Sequence, residues 1–296
     1  MMKFLTIRKE EKEVLGIQTD KGIIDFDELL QNHRNTTIPT DVMELIHGGK
    51  EMVKEITSYI EQLDTESVRY LKEADINWGP AITSPSKIIC VGLNYRKHAD
   101  ETGSPYPETP ILFNKFNNTL TGHKQAIKIP KTTKKLDYEV ELGIVIGKTA
   151  KNVPINEALD HVFGYVTGND LSARDLQFVS SQWLLGKSCD DFSPVGPYLV
   201  TSDEVEDPNN LQLKTIVNGE EKQNSNTSDM IFHCDEIISY ISKYMTLTPG
   251  DLILTGTPEG VIMGEPEDKQ VFLKPGDEVT VEIEKLGSLT NKFVYE

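Results

Sequence analysis

The spacing of apolar and polar residues changes several times along the chain, and each change predicts an element. Residues 278–284 alternate, with Val279, Val281 and Ile283 set between Glu278, Thr280, Glu282 and Glu284, which predicts a half-buried strand. Short apolar runs at residues 3–7, 13–18 and 23–26 predict three more strands, the last two joined by a turn at Lys21-Gly22. From residue 41 to 62 the apolar positions Val42, Leu45, Ile46, Met52, Val53, Ile56 and Ile60 recur at roughly helical spacing. Gly48-Gly49 is expected to break that helix in two. Ile88 to Gly92 and Glu139 to Ile146 read as compact apolar strands, and Leu252 to Thr255 as another after the turn Pro249-Gly250-Asp251. Asn218-Gly219 within 211–223 signals a hairpin. Ser228 is the expected N-cap of a helix reaching about Met245, with Ile231, Cys234, Ile238, Ile241 and Met245 on one stripe.

Residues 77–86 carry two prolines and a glycine, so a boundary is expected there, between a small unit at 1–80 and a larger one at 81–296. Strands without regular intervening helices predict a β-rich α+β fold, not a doubly wound sheet or a barrel. With 38% apolar and 26% charged residues, the chain has an ordinary globular composition and is not expected to be disordered. Its net charge of −17 repels phosphate backbones and anionic lipid surfaces, so no nucleic acid and no membrane is expected as partner. No stretch approaches the ~20 apolar residues of a membrane helix. The apolar run before Arg8 and Lys9 is too short for a signal peptide core. Cys90, Cys189 and Cys234 lie far apart and form no C-x-x-C pair, which fits a reducing, cytoplasmic setting.

The candidate chemistry begins at Glu139-Val140-Glu141. Residues two apart on a strand point the same way, so the two carboxylates share a face that continues into Gly143 and Val145. Carboxylates sharing a cavity repel, and a divalent cation is the simplest compensation. The alternative is an edge strand with two solvated glutamates. Asp170, after Gly168-Asn169, is a third candidate ligand, or else an Asx-turn or cap. His98 and Glu101 stand three apart and would pair on a helical turn, giving an imidazole able to move a proton. The Gly/Pro-rich stretch 102–110 after them suits a segment that closes over a site; a solvated turn is the plain alternative. Lys187 follows Gly186 without the pattern of a phosphate loop. Arg174 and Gln177 share a side of a helical turn, where arginine can clamp a carboxylate, or can pair with Asp170 or Asp175. Thr257, in Thr255-Gly256-Thr257-Pro258-Glu259-Gly260, offers a hydroxyl beside backbone N–H groups, or simply closes a tight connection. No Ser-His-Asp or Cys-His nucleophile arrangement stands out.

Taken together these strings resemble the fumarylacetoacetate hydrolase family. The resemblance runs from about Ile88 to the C-terminus. It rests on Val91-Gly92-Leu93-Asn94-Tyr95 with His98 and Glu101, Tyr138-Glu139-Val140-Glu141-Leu142, Gly164-Tyr165 with Asn169-Asp170, and Ser172-Ala173-Arg174-Asp175 with Gln177. Gly186-Lys187-Ser188, Val195-Gly196-Pro197, Val217-Asn218-Gly219, Pro249-Gly250-Asp251 and Thr255-Gly256-Thr257-Pro258 follow in the same order.

The resemblance implies a mixed β-sandwich roll, typically a homodimer, preceded by a small α/β accessory domain. It implies Glu139, Glu141 and Asp170 as ligands of Mg2+, with Mn2+ or Ca2+ open, and His98 with Glu101 as a lid dyad that activates water. It implies Lys187 as the group polarising a substrate oxo oxygen, and Arg174, Gln177 and Thr257 as neighbours of the substrate. The expected substrate is a small anionic 2-oxo acid, held despite the net charge by local cations. The expected reaction is hydrolysis of a C–C bond in an acylpyruvate-type substrate. Decarboxylation of oxaloacetate and isomerisation of 2-hydroxyhepta-2,4-diene-1,7-dioate type draw on the same enolate stabilisation and stay open. A non-catalytic protein binding metal and ligand is the alternative of another class.

Overall fold

The computed structural model describes residues 2–10, 12–32, 37–64 and 68–296. The chain opens with strands β1 (Lys3–Arg8), β2 (Glu13–Thr19) and β3 (Gly22–Asp25), then helices α1 (Phe26–Asn32) and α2 (Val42–Gln62). Next come β4 (Ile88–Gly92), α3 (Arg96–Glu101), β5 (Ile111–Lys115), β6 (Leu120–Thr121), β7 (Ala126–Ile129) and β8 (Leu136–Asp137). The middle of the chain holds β9 (Val140–Ile146), α4 (Ile155–Ala158), β10 (Val162–Asn169), β11 (Ser172–Ala173) and α5 (Arg174–Gln177). It continues through α6 (Leu184–Lys187), β12 (Ser193–Pro194), β13 (Leu199–Thr201), β14 (Gln212–Val217) and β15 (Glu220–Asn226). The last elements are α7 (Cys234–Tyr244), β16 (Leu252–Leu254), β17 (Glu278–Ile283) and β18 (Gly287–Tyr295).

Two sheets carry the architecture among the described residues. The larger has nine strands in the order β3-β2-β1-β13-β10-β9-β16-β4-β5, and the smaller has five in the order β15-β14-β17-β18-β7. β9 is buried along its whole length, as a strand covered on both faces must be. Val140, Leu142, Ile144 and Ile146 belong to one apolar cluster with Leu213, Val279, Val281, Ile283 and Phe293 of the smaller sheet. Val145 points the other way, into a second cluster with Val42, Leu45, Ile46 and Ile56 of α2. β17 alternates between half-buried and buried residues, and β14 and β15 turn at Asn218-Gly219, both as the pattern predicts.

The N-terminal strands continue the larger sheet: Lys3 pairs with Val200 and Phe4 with Leu199. The segment 77–86 is bonded on both sides, Gly79 N–H to the Thr6 carbonyl at 2.9 Å and Ala81 N–H to the Val195 carbonyl at 3.0 Å. Segments 1–80 and 81–296 therefore share one sheet. Asp41 caps α2, its carboxylate accepting from Met43 N–H at 2.8 Å and Glu44 N–H at 2.9 Å. The helix kinks at Gly49, the position the sequence marks.

Three expected boundaries move. Phe26 begins α1 instead of ending β3, because Asp25 accepts from Glu28 N–H at 3.1 Å and starts a turn. Glu139 lies one residue before β9. The helix expected after Ser228 begins only at Cys234, with Glu236 accepting from His233 N–H at 2.9 Å. Residues 231–232 form a bend instead of a helical turn, because Ile231 N–H bonds the Asn94 carbonyl at 2.7 Å and Phe232 N–H bonds Asn94 Oδ1 at 2.9 Å. Ile231 therefore lies off the helix. Among the described residues no helix is long and apolar enough to cross a membrane. The three cysteine thiols are free.

Candidate metal and substrate site

The register of β9 against β10 assembles the acidic cluster. Glu141 pairs with Gly168 and Val140 with Asn169, so the residues just before β9 and just after β10 meet. Asp170 N–H donates to the Glu139 carbonyl at 2.9 Å, and Glu139 N–H donates to Asn169 Oδ1 at 3.0 Å. Glu139, Glu141 and Asp170 thereby bring one carboxylate oxygen each within 4.8 Å of the others, all buried.

Three cations surround this cluster. Lys187, at the end of α6, donates to Glu139 Oε2 at 2.6 Å and to Asp170 Oδ2 at 2.8 Å. Lys115, at the end of β5, is paired with the other Asp170 oxygen and donates to the Phe192 carbonyl at 2.6 Å. Arg174, opening α5, places Nη2 2.7 Å from Glu139 Oε1, Nε 2.9 Å from Asp137 Oδ2 and Nη1 3.0 Å from Gln177 Oε1.

Burial alone would push the Glu139 carboxyl up, but Lys187 and Arg174 outweigh it and hold the group well below its ordinary range. Lys187 is the mirror image: burial disfavours its charge, while Asp170 and Glu139 raise its pKa. It is a fixed ammonium and not a proton acceptor. Glu141 differs, because burial pushes its pKa well up, and Asp170 and Glu139 push it further. Its one compensating bond is from Gly256 N–H to Oε2 at 2.8 Å. Gly256 has φ +98°, and a Cβ there would meet Asn94 Cβ at 2.7 Å and the Val91 carbonyl oxygen at 2.9 Å, so glycine is what lets this backbone reach Glu141.

The donor set fits a hard divalent cation. Three oxygens so close span the diameter of an octahedral shell, roughly 4–5 Å for ions of this class. The cost of charging Glu141 beside two buried carboxylates is what such an ion would offset. Glu139, Glu141 and Asp170 would hold it.

His98, on α3, places Nδ1 2.7 Å from Glu101 Oε1, and Glu101 Oε2 accepts from Gly260 N–H at 2.9 Å. A carboxylate only accepts, so Nδ1 carries a hydrogen, and in the neutral imidazole Nε2 then keeps a lone pair. Thr257 Oγ1 accepts from Gln223 Nε2 at 3.0 Å.

One cavity of about 190 Å³ is lined by His98, Glu139, Glu141, Arg174, Gln177, Lys187 and Thr257. Ile111, Phe113, Phe178, Trp183 and Met263 give it an apolar wall, and Thr102 and Ser104 add two hydroxyls after the helix that carries His98. The Lys187 ammonium lies 5.1 Å from the Phe113 ring centroid. Of the nine residues singled out in the sequence, seven line this cavity. Asp170 and Glu101 stand behind it and touch residues that do.

Four further residues carry the site, and of these only Asn94 lies in a string that the sequence singled out. Lys115 is buried on Asp170. Asn94 binds the Thr255 carbonyl at 2.7 Å. Gln223 accepts from Val140 N–H at 3.1 Å, between the two glutamates. Asp137 is fully buried beneath Arg174.

Residues 87–294 match the family described as fumarylacetoacetate (FAA) hydrolase, C-terminal. The mitochondrial oxaloacetate tautomerase of Xenopus laevis is 41% identical over 282 residues, covering 95% of this chain and 85% of that protein. A fumarylacetoacetate hydrolase from the psychrophile Exiguobacterium antarcticum superposes with a TM-score of 0.84 at 33% identity, covering 100% of both chains. Fumarylpyruvate hydrolase from Pseudomonas aeruginosa, solved with Mn2+ and pyruvate, superposes with a TM-score of 0.66 at 33% identity, over 72% of this chain and 91% of that one.

Proposed function

Given that the chain belongs to the fumarylacetoacetate hydrolase family, we propose that it is a divalent-metal-dependent enzyme that interconverts the keto and enol forms of a short 2-oxo diacid of the oxaloacetate type. The observation that carries this reading is the meeting, in one cavity, of Glu139 and Glu141 with the Lys187 ammonium and His98. The choice of tautomerisation over cleavage is supported by the 41% identity to an oxaloacetate tautomerase over 95% of the chain. The cavity of about 190 Å³ suits a small diacid.

When bound, the cation supplies positive charge for the substrate's carboxylate and adjacent oxo oxygen. We assign it as Mg2+, with Mn2+ and Ca2+ able to use the same oxygens. Arg174 orients the substrate through its guanidinium, itself fixed by Asp137, Gln177 and Glu139. Lys187 offers a hydrogen bond to the oxo oxygen and stabilises negative charge as it develops there. His98 Nε2 takes the proton from the carbon beside the oxo group, and Glu101 stabilises the resulting imidazolium. The same proton returns to oxygen to complete the enol, so nothing is gained or lost overall. Thr257, held by Gln223, offers its hydroxyl to the second carboxylate.

A second reading is hydrolysis of an acylpyruvate. The His98–Glu101 pair favours it, since the same Nε2 lone pair can take a proton from water. The free thiols fit a reducing compartment such as the cytoplasm, and the chain is read as a homodimer from its family. The two reactions separate in one experiment. Enol-oxaloacetate and an acylpyruvate are offered in parallel to the metal-loaded protein, following loss of enol absorbance and release of pyruvate. Faster enol–keto conversion without acylpyruvate cleavage supports the tautomerase. Cleavage at a comparable kcat/KM moves the assignment to the hydrolase.

A further inference from the structure

Asp137 is fully buried, and both of its carboxylate oxygens are committed. Oδ2 accepts from Arg174 Nε at 2.9 Å and from Met263 N–H at 3.0 Å. Oδ1 accepts from Ile262 N–H at 2.9 Å and from Tyr138 N–H at 2.9 Å. One carboxylate thus joins the substrate clamp to the backbone of residues 260–264.

That same backbone is the seat of the dyad. Gly260 N–H donates to Glu101 Oε2, and the Tyr138 hydroxyl donates to the Gly260 carbonyl at 3.0 Å. Gly264 lies so close to Glu101 that a Cβ there would come within 2.5 Å of its carboxyl carbon. The helix carrying His98 and Glu101 therefore meets the rest of the site on a surface made by residues 260–264.

We propose that Asp137 is a positioning residue: by pinning residues 260–264 and Arg174 to one buried carboxylate, it sets the dyad and the substrate clamp in register with each other. Buried negative charge is costly unless fully bonded, and four hydrogen bonds meet that cost only while residues 260–264 stay in place. Loss of the link lets Glu101 lose its seat, and a displacement of about 1 Å at a reacting group costs on the order of 100-fold in rate.

Resting on the tautomerase reading for its kinetic arm, the test uses two variants of the metal-loaded full chain. Asp137→Asn keeps the shape but turns an amide NH2 toward two of the four donors. It should lower kcat at least about tenfold and raise KM. Amide exchange should quicken at residues 258–265 and 96–103 while residues 140–146 keep their protection. Gly264→Ala acts on Glu101 from the other side. The atom it meets is the end of a flexible side chain, so the fold is spared and the dyad is not. It should lower kcat at least about tenfold with KM within about twofold, and expose Gly260 N–H while Ile262 and Met263 stay protected.

Native kcat in both variants overturns the proposal, as does exchange in Asp137→Asn that quickens only at residues 136–142. Should Asp137→Asn fail to fold, native kcat in Gly264→Ala alone overturns it, and the kcat-only loss supports it. Should the native chain turn over no 2-oxo acid, the tautomerase reading fails by itself. Exchange at residues 96–103 then decides: unchanged in both variants overturns the link, and faster in either supports it.

Discussion

Lys187 Nζ stands 2.6 Å from Glu139 Oε2, with both side chains buried. Each keeps the other charged against the cost of burial. Removing one partner of such a pair leaves an uncompensated charge, a loss of about 3–5 kcal/mol in buried examples. Lys187→Met should therefore lower the thermal midpoint and reduce kcat by at least about 100-fold, while the three carboxylates still bind metal. Calorimetric metal titration alongside kinetics checks this. A variant that binds metal and keeps native kcat would remove Lys187 from the chemistry.

We propose that the His98–Glu101 pair transfers protons and does not hold metal. His98→Ala should lower kcat about 10²- to 10⁴-fold, the usual range for a positioned acid–base group. Glu101→Gln should cost less, since the imidazole remains but loses its charged partner. Metal affinity should be native in both, because neither residue belongs to the carboxylate cluster. Weakened metal binding in His98→Ala would assign the histidine to the metal instead.

Gln223 shows how far the site reaches into the smaller sheet. Its Oε1 accepts from Val140 N–H and from Thr215 Oγ1 at 2.7 Å, while Nε2 donates to Thr257 Oγ1 and to the Pro258 carbonyl at 2.9 Å. Gln223→Leu strands several buried donors and acceptors, each costing about 1–3 kcal/mol. The expected result is a lower midpoint in urea and a higher KM as Thr257 loses its partner. Unchanged KM in a folded variant would separate Thr257 from the substrate.

One histidine away from the site gives the stability a pH dependence. His123 Nδ1 accepts from Thr290 N–H at 3.0 Å, and its ring meets Trp78 edge-on at 5.1 Å between centroids. Burial, with Lys124 nearby, lowers its pKa from 6.5 to about 4. The unfolded chain then binds the proton more readily, so stability is full above pH 6.5 and falls as pH drops toward 4. The contribution is on the order of 3 kcal/mol. Denaturant titrations across this range should show the fall in the native chain and a flatter curve in His123→Gln. Equal slopes would assign the acid sensitivity elsewhere.

Much of this was legible in the sequence because the signals were local. Glu139 and Glu141 share a face by strand parity, and His98 and Glu101 pair by helical spacing. Arg174 and Gln177 do the same over one turn. Asp137, Lys115 and Gln223 were not legible, because each reaches the site through partners 34 to 126 residues away. A lone buried carboxylate or amide has no spacing of its own. The late start of α7 has the same origin: the apolar stripe after Ser228 is helical in pattern, but Asn94, 138 residues earlier, holds Phe232 in a bend outside the helix. The N-terminal strands were correctly seen as strands, while their pairing with β13 depends on contacts that no local pattern encodes.

The proposed dependence of activity on a cation held by Glu139, Glu141 and Asp170 is tested most directly by restoring metal to chelator-treated protein. Mg2+ or Mn2+ is added back while binding heat and enol-oxaloacetate conversion are followed on the same sample. One ion per chain should bind, activity should return in proportion to occupancy, and Glu141→Gln should lose both together. Full conversion by the chelated protein, or metal binding unchanged in Glu141→Gln, would contradict the site described here.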